Sequence, residues 1–420
     1  MNTIHKTLFS LAVVFGALLS TSPAWSQNNT NSPYTRFGLG EMADYASGRS
    51  HAMGGTSIGV RNTKGVNAVN PASYTAIDSL SFVFEAGASG KLSVFTDADS
   101  HHRTDFTGNL EFLSLRFPIG NHVAFSCGIT PYSYVGYDFP SNGTIDIPGG
   151  GSVSFQRNYK GSGGLHQLYG GLALRLGSHV SLGANMYYLF GTINHSRQIS
   201  YDAAYGTFYS TLQESKIKVK DLNFRYGVQY FTPFLRYHYL SLGAILELKN
   251  ELGGDYTVQT STIDTISSKN KDQFETPLTL GFGASYSYKD RLNIATDILW
   301  QGWNSTNYFG RDDTLSNRIK VGIGAEYTPN RYAKNNLKRI SYRIGANVSD
   351  GYLSIKGNGL KNYSLTMGFG LPARGRSMLN IGVEYGHLGN TSYGQISENF
   401  VRFNLSLSFA ETWFFKRRFD

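Results

Sequence analysis

The chain has 420 residues with 48 Gly, 28 Tyr and 27 Phe, but only 16% charged residues, against roughly 25% in a soluble protein. Its net charge of +9 comes from scattered Lys and Arg rather than a basic stripe, which argues against nucleic-acid binding. No segment supplies the roughly 20 apolar residues of a helical span, and the single cysteine, Cys127, can form neither an internal disulfide nor a lipidated N-terminal anchor.

Residues 1–26 read as a secretory signal: Lys6 lies in the positive n-region, Thr7 to Ser20 is a short apolar core, and Ala24-Trp25-Ser26 offers small residues at the cleavage site. The next segment, 27–78, has no regular period. It carries Tyr34, Phe37, Leu39, Met53, Ile58, Val60, Val69, Tyr74 and Ile77 among glycines and prolines. These groups need burial, and no local element is long enough to bury them.

From about residue 79 the chain resolves into segments of roughly ten residues with period-two alternation, the signature of a transmembrane β-barrel. Leu80, Phe82, Phe84 and Ala86 alternate with Ser81, Val83, Glu85 and Gly87. Leu113, Leu115 and Phe117 stand against Ser114 and Arg116, and Val123, Phe125, Cys127 and Ile129 against Ala124, Ser126, Gly128 and Thr130. Leu172 to Leu176, Val180 to Tyr187, Leu240 to Leu248, Leu278 to Tyr286, Leu292 to Trp300, Ile319 to Tyr327, Ile340 to Ala346, Leu365 to Leu371, Leu379 to Tyr385 and Val401 to Phe409 repeat the pattern. Thr207 to Tyr230 alternates less cleanly.

A soluble β-sandwich also alternates, but its second face would be solvated and charged. Here that face is Gly- and Ser-rich with single charges of both signs: Glu85, Lys91, Arg116, Arg175, Glu247, Lys249, Asp297, Lys320, Glu326, Arg343, Glu384 and Arg402. This suits a polar lumen. An exported chain of alternating strands enters a bilayer only as a closed barrel, because every backbone group must be paired within the protein.

Short turns are expected at FPIGNH, RLGSHV, FTPFLRY, YKDRL, TPNRYAKNNLKR and LPARGRS. Longer polar loops are expected near Asp97 to Thr104, Pro140 to Gly150, His195 to Ala204, Glu251 to Asp272, Asn304 to Ser316, Ser349 to Asn362 and Gly389 to Glu398. The expected fold class is thus all-β: about fourteen antiparallel strands over 79–420, with both termini on the periplasmic side of a Gram-negative outer membrane. The last segment ends in Trp413, Phe414, Phe415 and Phe419 around Lys416-Arg417-Arg418, as in barrels inserted by the outer-membrane assembly machinery, and its aromatics would meet outer-membrane lipid. Fourteen strands leave a lumen wider than side chains fill, so 27–78 is expected to fold inside it as a hatch.

The Gly-rich stretch MGGTSIGVRNTKGVNAVNPASYTAID, with Gly54, Gly55, Asn70, Pro71 and Ala72 just before the first strand, and the run PYSYVGY in the third strand resemble the FadL-type outer-membrane transporters of long-chain fatty acids and other hydrophobic compounds. That resemblance implies a lumenal hatch, a hydrophobic ligand pocket beside it, and a kinked third strand opening sideways to the membrane. Independently, Pro131 cannot donate to a ladder, and Gly128 and Gly136 flank it. It marks either a break in the wall or the rim where the strand ends.

For a ligand carboxylate the candidates are Arg36, Lys91 and Arg116, which otherwise pair with wall acids such as Glu85, Glu247, Glu326 or Glu384 and tie the hatch in place. Phe37, Leu39 and Met53 either line a pocket or form the hatch core. GTSIG at Gly55 to Gly59 matches a nucleophile-elbow spacing without the strand-turn-helix context it needs. His101 and His102 beside Asp97, Asp99 and Asp105 lack a helix to converge them, so no metal is assigned. No catalytic residue and no cofactor is expected. The reading is a passive channel for a hydrophobic small molecule such as a fatty acid. Its alternative is a permanently plugged barrel serving as an accessory subunit of an envelope protein complex.

Overall fold

The computed structural model describes residues 28–44, 47–146, 151–201, 209–261, 265–271, 274–308, 315–355, 357–373 and 375–412. The expected signal peptide and the aromatic and basic residues 413–420 lie outside them.

Fourteen strands form the wall: β1 (Ser81–Thr96), β2 (His102–Pro118), β3 (Val123–Asp146), β4 (Ser152–Leu176), β5 (Val180–Tyr201), β6 (Thr211–Leu235), β7 (His238–Glu247), β8 (Thr279–Tyr288), β9 (Leu292–Gln301), β10 (Arg318–Tyr327), β11 (Ser341–Ile355), β12 (Asn358–Pro372), β13 (Met378–Leu388) and β14 (Ser397–Thr412). Each pairs antiparallel with its sequence neighbour, and β14 pairs with β1 from Ser397↔Thr96 to Thr412↔Ser81, closing the barrel. All six expected short turns fall between strands at one end of the barrel, the turn end.

Alternation sorts the side chains by polarity in the sense opposite to a soluble core. Leu172, Leu174, Phe282, Ile323, Ile344, Leu365 and Phe403 are exposed on the outer face, whereas Glu85, Arg116, Asn185, Gln229, Glu326 and Arg343 are buried inside. The exposed apolar face is the lipid-facing belt of a membrane barrel. Among the twelve charges expected in the lumen, Lys249 departs: it lies past the end of β7 and pairs with Glu275 at 2.7 Å in a loop.

The strands from β3 to β6 are much longer than expected, at 24, 25, 22 and 25 residues, whereas about 9 to 11 cross a bilayer. Pro140 to Asp146 and His195 to Tyr201, expected as loops, are therefore strand. Outer stretches such as Ser141 to Asp146 are mostly polar and exposed, so the apolar alternation that marks a strand in sequence is absent there. The expected long loop Glu251 to Asp272 contains a hairpin, Gly254–Ser261 with Thr265–Lys271, that extends the sheet along β6 from Val219 to Leu212. Ser349 to Asn362 is mostly the β11–β12 hairpin.

At the loop end the inner face becomes apolar. Val135, Tyr137, Leu165, Leu189, Ile193, Ile217 and Val219 from the extended strands pack with Leu252, Phe274, Trp303 and Leu315 from the loops and with Tyr34 and Leu39. Trp303 and Tyr352 meet with ring centroids 4.7 Å apart. The interior thus has an apolar core at the loop end and a polar lumen toward the turn end.

Candidate functional site

The N-terminal segment from 28 to 78 is hydrogen-bonded to inward groups of the wall along its length. The Asn-Pro-Ala motif has a local explanation: Asn70 caps a 3-10 helix, Pro71–Ala76, by accepting from the Ala72 N–H, and Pro71 takes the position that needs no donor. Asn70 also donates to the Ile58 carbonyl at 2.8 Å, and Tyr74 donates to Asn185 of β5 at 2.9 Å. Buried wall charges hold the irregular backbone. Asp297 accepts from the Ser57 and Ile58 N–H groups at 2.5 and 2.8 Å, and Glu85 accepts from the Val66 N–H at 2.7 Å. Arg116 donates to the carbonyls of Asn62 and Ser73 at 2.8 and 3.2 Å.

The glycines make this approach possible. Gly54 lies in the left-handed region at φ +65°, and a β-carbon on it would stand 2.5 Å from the Ala346 carbonyl oxygen. On the wall side, a β-carbon at Gly345 would come within 2.2 Å of the Gly54 nitrogen.

The third strand is where wall and segment merge. The β2–β3 ladder runs only from Pro118↔Ala124 to Leu113↔Ile129, while β4 follows β3 to its outer end with a register shift between Pro131 and Ser133. Beyond Ile129 the edge of β3 that β2 leaves is taken by the N-terminal segment. Glu41 and Met42 pair with Tyr134 and Ser133, the Ala43 N–H donates to the Tyr132 carbonyl at 3.0 Å, and Thr35 donates to the Gly136 carbonyl at 3.0 Å. At Gly136 a β-carbon would lie 1.8 Å from the Thr30 carbonyl oxygen. Gly128, by contrast, sits inside the regular ladder, paired with Ser114 and Tyr169.

Two cavities flank this junction, of about 150 and 140 Å³. The first is lined by apolar groups, including Tyr352, Leu353 and Phe400, and by charged ones. The second reaches Tyr132, Gln167 and Arg225. Asp44, Arg318 and Lys320 line both and form the partition: Arg318 grips Asp44 with two nitrogens at 2.8 and 2.5 Å, and Lys320 adds a contact at 3.0 Å. A second network lies across the first cavity. Lys91 bridges Glu398 at 2.7 Å and Glu41 at 3.2 Å, and Arg402 reaches Glu384 at 3.1 Å and Glu41 at 3.6 Å.

Of the six residues expected to bind a ligand, Lys91 lines the first of these two cavities, and the other five line neither. Arg36 stacks on Tyr159 at 3.9 Å beside the apolar core, which Phe37 and Leu39 join. Met53 packs with Val60 and Ala295, and Arg116 is fully buried on carbonyl groups. Gly55 lines both cavities. Glu41, Asp44, Arg318 and Glu398 have no sequence signal, since their ion-pair partners lie 50 to 361 positions away in the chain.

One rejected cluster does converge. A tight turn after β1, not a helix, brings Asp97, Asp99 and His101 together, with His101 Nδ1 at 3.0 Å from Asp97. All three are at the surface, and Asp97 serves the turn by accepting from the Asp99 and His101 N–H groups.

A family model described as BamG matches residues 4–420. No curated protein matches the sequence. In fold the chain is similar to the Ralstonia pickettii toluene transporter TbuX (TM-score 0.58, 17% identity, covering 89% of this chain and 99% of that one). It is likewise similar to a Pseudomonas aeruginosa FadL homologue (0.58, 13%, 89% and 100%) and to the Pseudomonas putida toluene transporter TodX (0.56, 15%, 90% and 100%).

Proposed function

Because the chain belongs to the BamG family and has the fold of FadL-type barrels, we propose that it is an outer-membrane channel for hydrophobic compounds, its turn end periplasmic and its N-terminal segment a hatch. The observation that carries this reading is the unpaired stretch between β2 and β3 beyond Leu113↔Ile129, occupied from inside by Glu41–Met42. A compound in the first cavity would meet both apolar groups such as Tyr352 and Leu353 and the seam residues Glu41, Met42 and Tyr134. Release of the two-residue strand would open the seam to lipid, and no cofactor or covalent step is needed.

The two ionic networks favour a second reading. Lys91 is consumed by Glu398 and Glu41, and Arg318 and Lys320 by Asp44. A lumen divided in this way also suits a permanently closed barrel that serves as an accessory subunit of an envelope protein complex.

One experiment separates the two. Purified protein in liposomes is tested for uptake of labelled toluene and of a long-chain fatty acid, with and without a disulfide between Met42→Cys and Ser133→Cys, which face each other in register. Channel function predicts uptake that falls at least tenfold when the disulfide forms and returns on reduction. Uptake no faster than through protein-free liposomes overturns the channel reading and leaves the closed barrel.

A further inference from the structure

A third cavity, of about 70 Å³, opens at the turn end, between the N-terminal segment and the turns that follow β10 and β12. Its charge is one-sided. Arg49 and Lys64 from the segment and Arg331, Arg339, Arg343 and Arg376 from the wall face only two lining carboxylates, Glu85 and Glu326.

The pairing inside it leaves cations over. Glu326 is already held by Arg49 at 2.8 Å and Arg343 at 2.7 Å, with Arg331 more distant at 3.8 Å. Glu85 forms no ion pair with these cations, one of its oxygens accepting from the Val66 N–H and the other having no hydrogen-bond partner among the described residues, and Asp78 pairs with Arg376. Among the described residues, the Lys64 ammonium and the Arg339 guanidinium have no hydrogen-bond or ion-pair partner. Burial, then Arg331 and Arg376, with a further push from Arg339, draw the Lys64 ammonium below its ordinary pKa, and Glu326 opposes them. Concentrated like charge of this kind is unfavourable unless an anion shares the space.

We propose that this cavity binds a phosphate-type dianion between Lys64 and Arg339, with Arg331 and Arg376 at its rim. A single carboxylate would leave positive charge uncompensated, whereas a dianion with three acceptor oxygens matches one ammonium and several planar guanidinium forks. The volume suits one such group. Because Lys64 belongs to the N-terminal segment and Arg339 to the β10–β11 turn, the bound anion ties segment to wall from the turn end, independently of whether the barrel transports anything. The dianion is either free in solution or carried on a lipid headgroup.

The test uses the full chain in neutral detergent, at constant ionic strength, with two probes: inorganic phosphate, and micelles doped with phosphatidic acid. Binding is followed by calorimetry, and tying by the rate of proteolysis within residues 28–78. Inorganic phosphate is expected to bind and to slow cleavage severalfold, and Lys64→Gln with Arg339→Gln is expected to weaken binding at least tenfold. Binding of phosphatidic acid but not of phosphate assigns the dianion to a headgroup and supports the site. Each variant is first checked for the heat-modifiable gel migration of a folded barrel, and Lys64→Arg should retain binding. No binding of either probe beyond a chloride control, or equal binding by the folded double variant, overturns the proposal.

Discussion

Glu398 shows how much a single lumenal residue depends on its partner. It is 0% exposed, and Lys91 at 2.7 Å is the cation that balances it. Lys91→Ala leaves that carboxylate buried without its countercharge, a change that costs about 3–5 kcal/mol. A urea series in detergent should show the loss, and the double variant Lys91→Ala/Glu398→Ala should recover most of it. Asp44 gives a pH prediction. Burial alone would raise its carboxyl, but Arg318 and Lys320 outweigh burial and hold it well below the ordinary carboxylate range. A group with a depressed folded value contributes stability fully above its unfolded value, here 3.8, and loses it only as pH falls through the folded value. Hydrogen exchange at residues 40–44, corrected for intrinsic rates, should therefore be unchanged from pH 7 to 4.5, and Asp44→Asn should speed it at both.

Among the elements, β3 and the Gly-bearing inner faces decide how the segment sits. Glycines on β10 and β11 carry no side chain where the segment's backbone crosses: a β-carbon at Gly324 would lie 2.3 Å from the Met53 carbonyl oxygen, and one at Gly345 would lie 2.4 Å from the Met53 carbonyl carbon. Gly345→Val should displace the segment and raise its cleavage by protease at least tenfold while the barrel keeps its heat-modifiable migration. Ile344→Val, one residue away and 64% exposed on the outer face, should leave cleavage unchanged. This pair of outcomes separates crowding of the lumen from general damage to β11.

For the molecule as a whole, the wall closes by its own ladders, from β1–β2 around to β14–β1. Among the described residues, the segment's contribution to these ladders is the two-residue pairing to β3. Removal of residues 28–78 should therefore leave a folded barrel with a lower unfolding midpoint, because Glu85, Asp297 and Arg116 lose the backbone groups they now hold. Planar-bilayer conductance should rise from the closed level to that of an open pore. An unfolded product would show that the segment is part of the barrel's own folding unit.

Strand number, turn positions and the two faces of the wall were legible in the sequence, because lipid on one side and a polar lumen on the other impose a period of two that local residues record. The register shift between Pro131 and Ser133 was also legible as an irregularity, since a proline cannot donate to a ladder. What escaped were features made by distant partners or by water: the mostly polar, exposed outer ends of long strands, such as Ser141 to Asp146, which carry no apolar alternation, and the ties of Glu41 and Asp44 to Lys91, Arg318 and Lys320. Arg116 could be placed in the lumen from its alternation with Leu115 and Phe117. That it would hold the carbonyls of Asn62 and Ser73 instead of a carboxylate was decided only when the barrel closed around the segment and brought those backbone groups within reach.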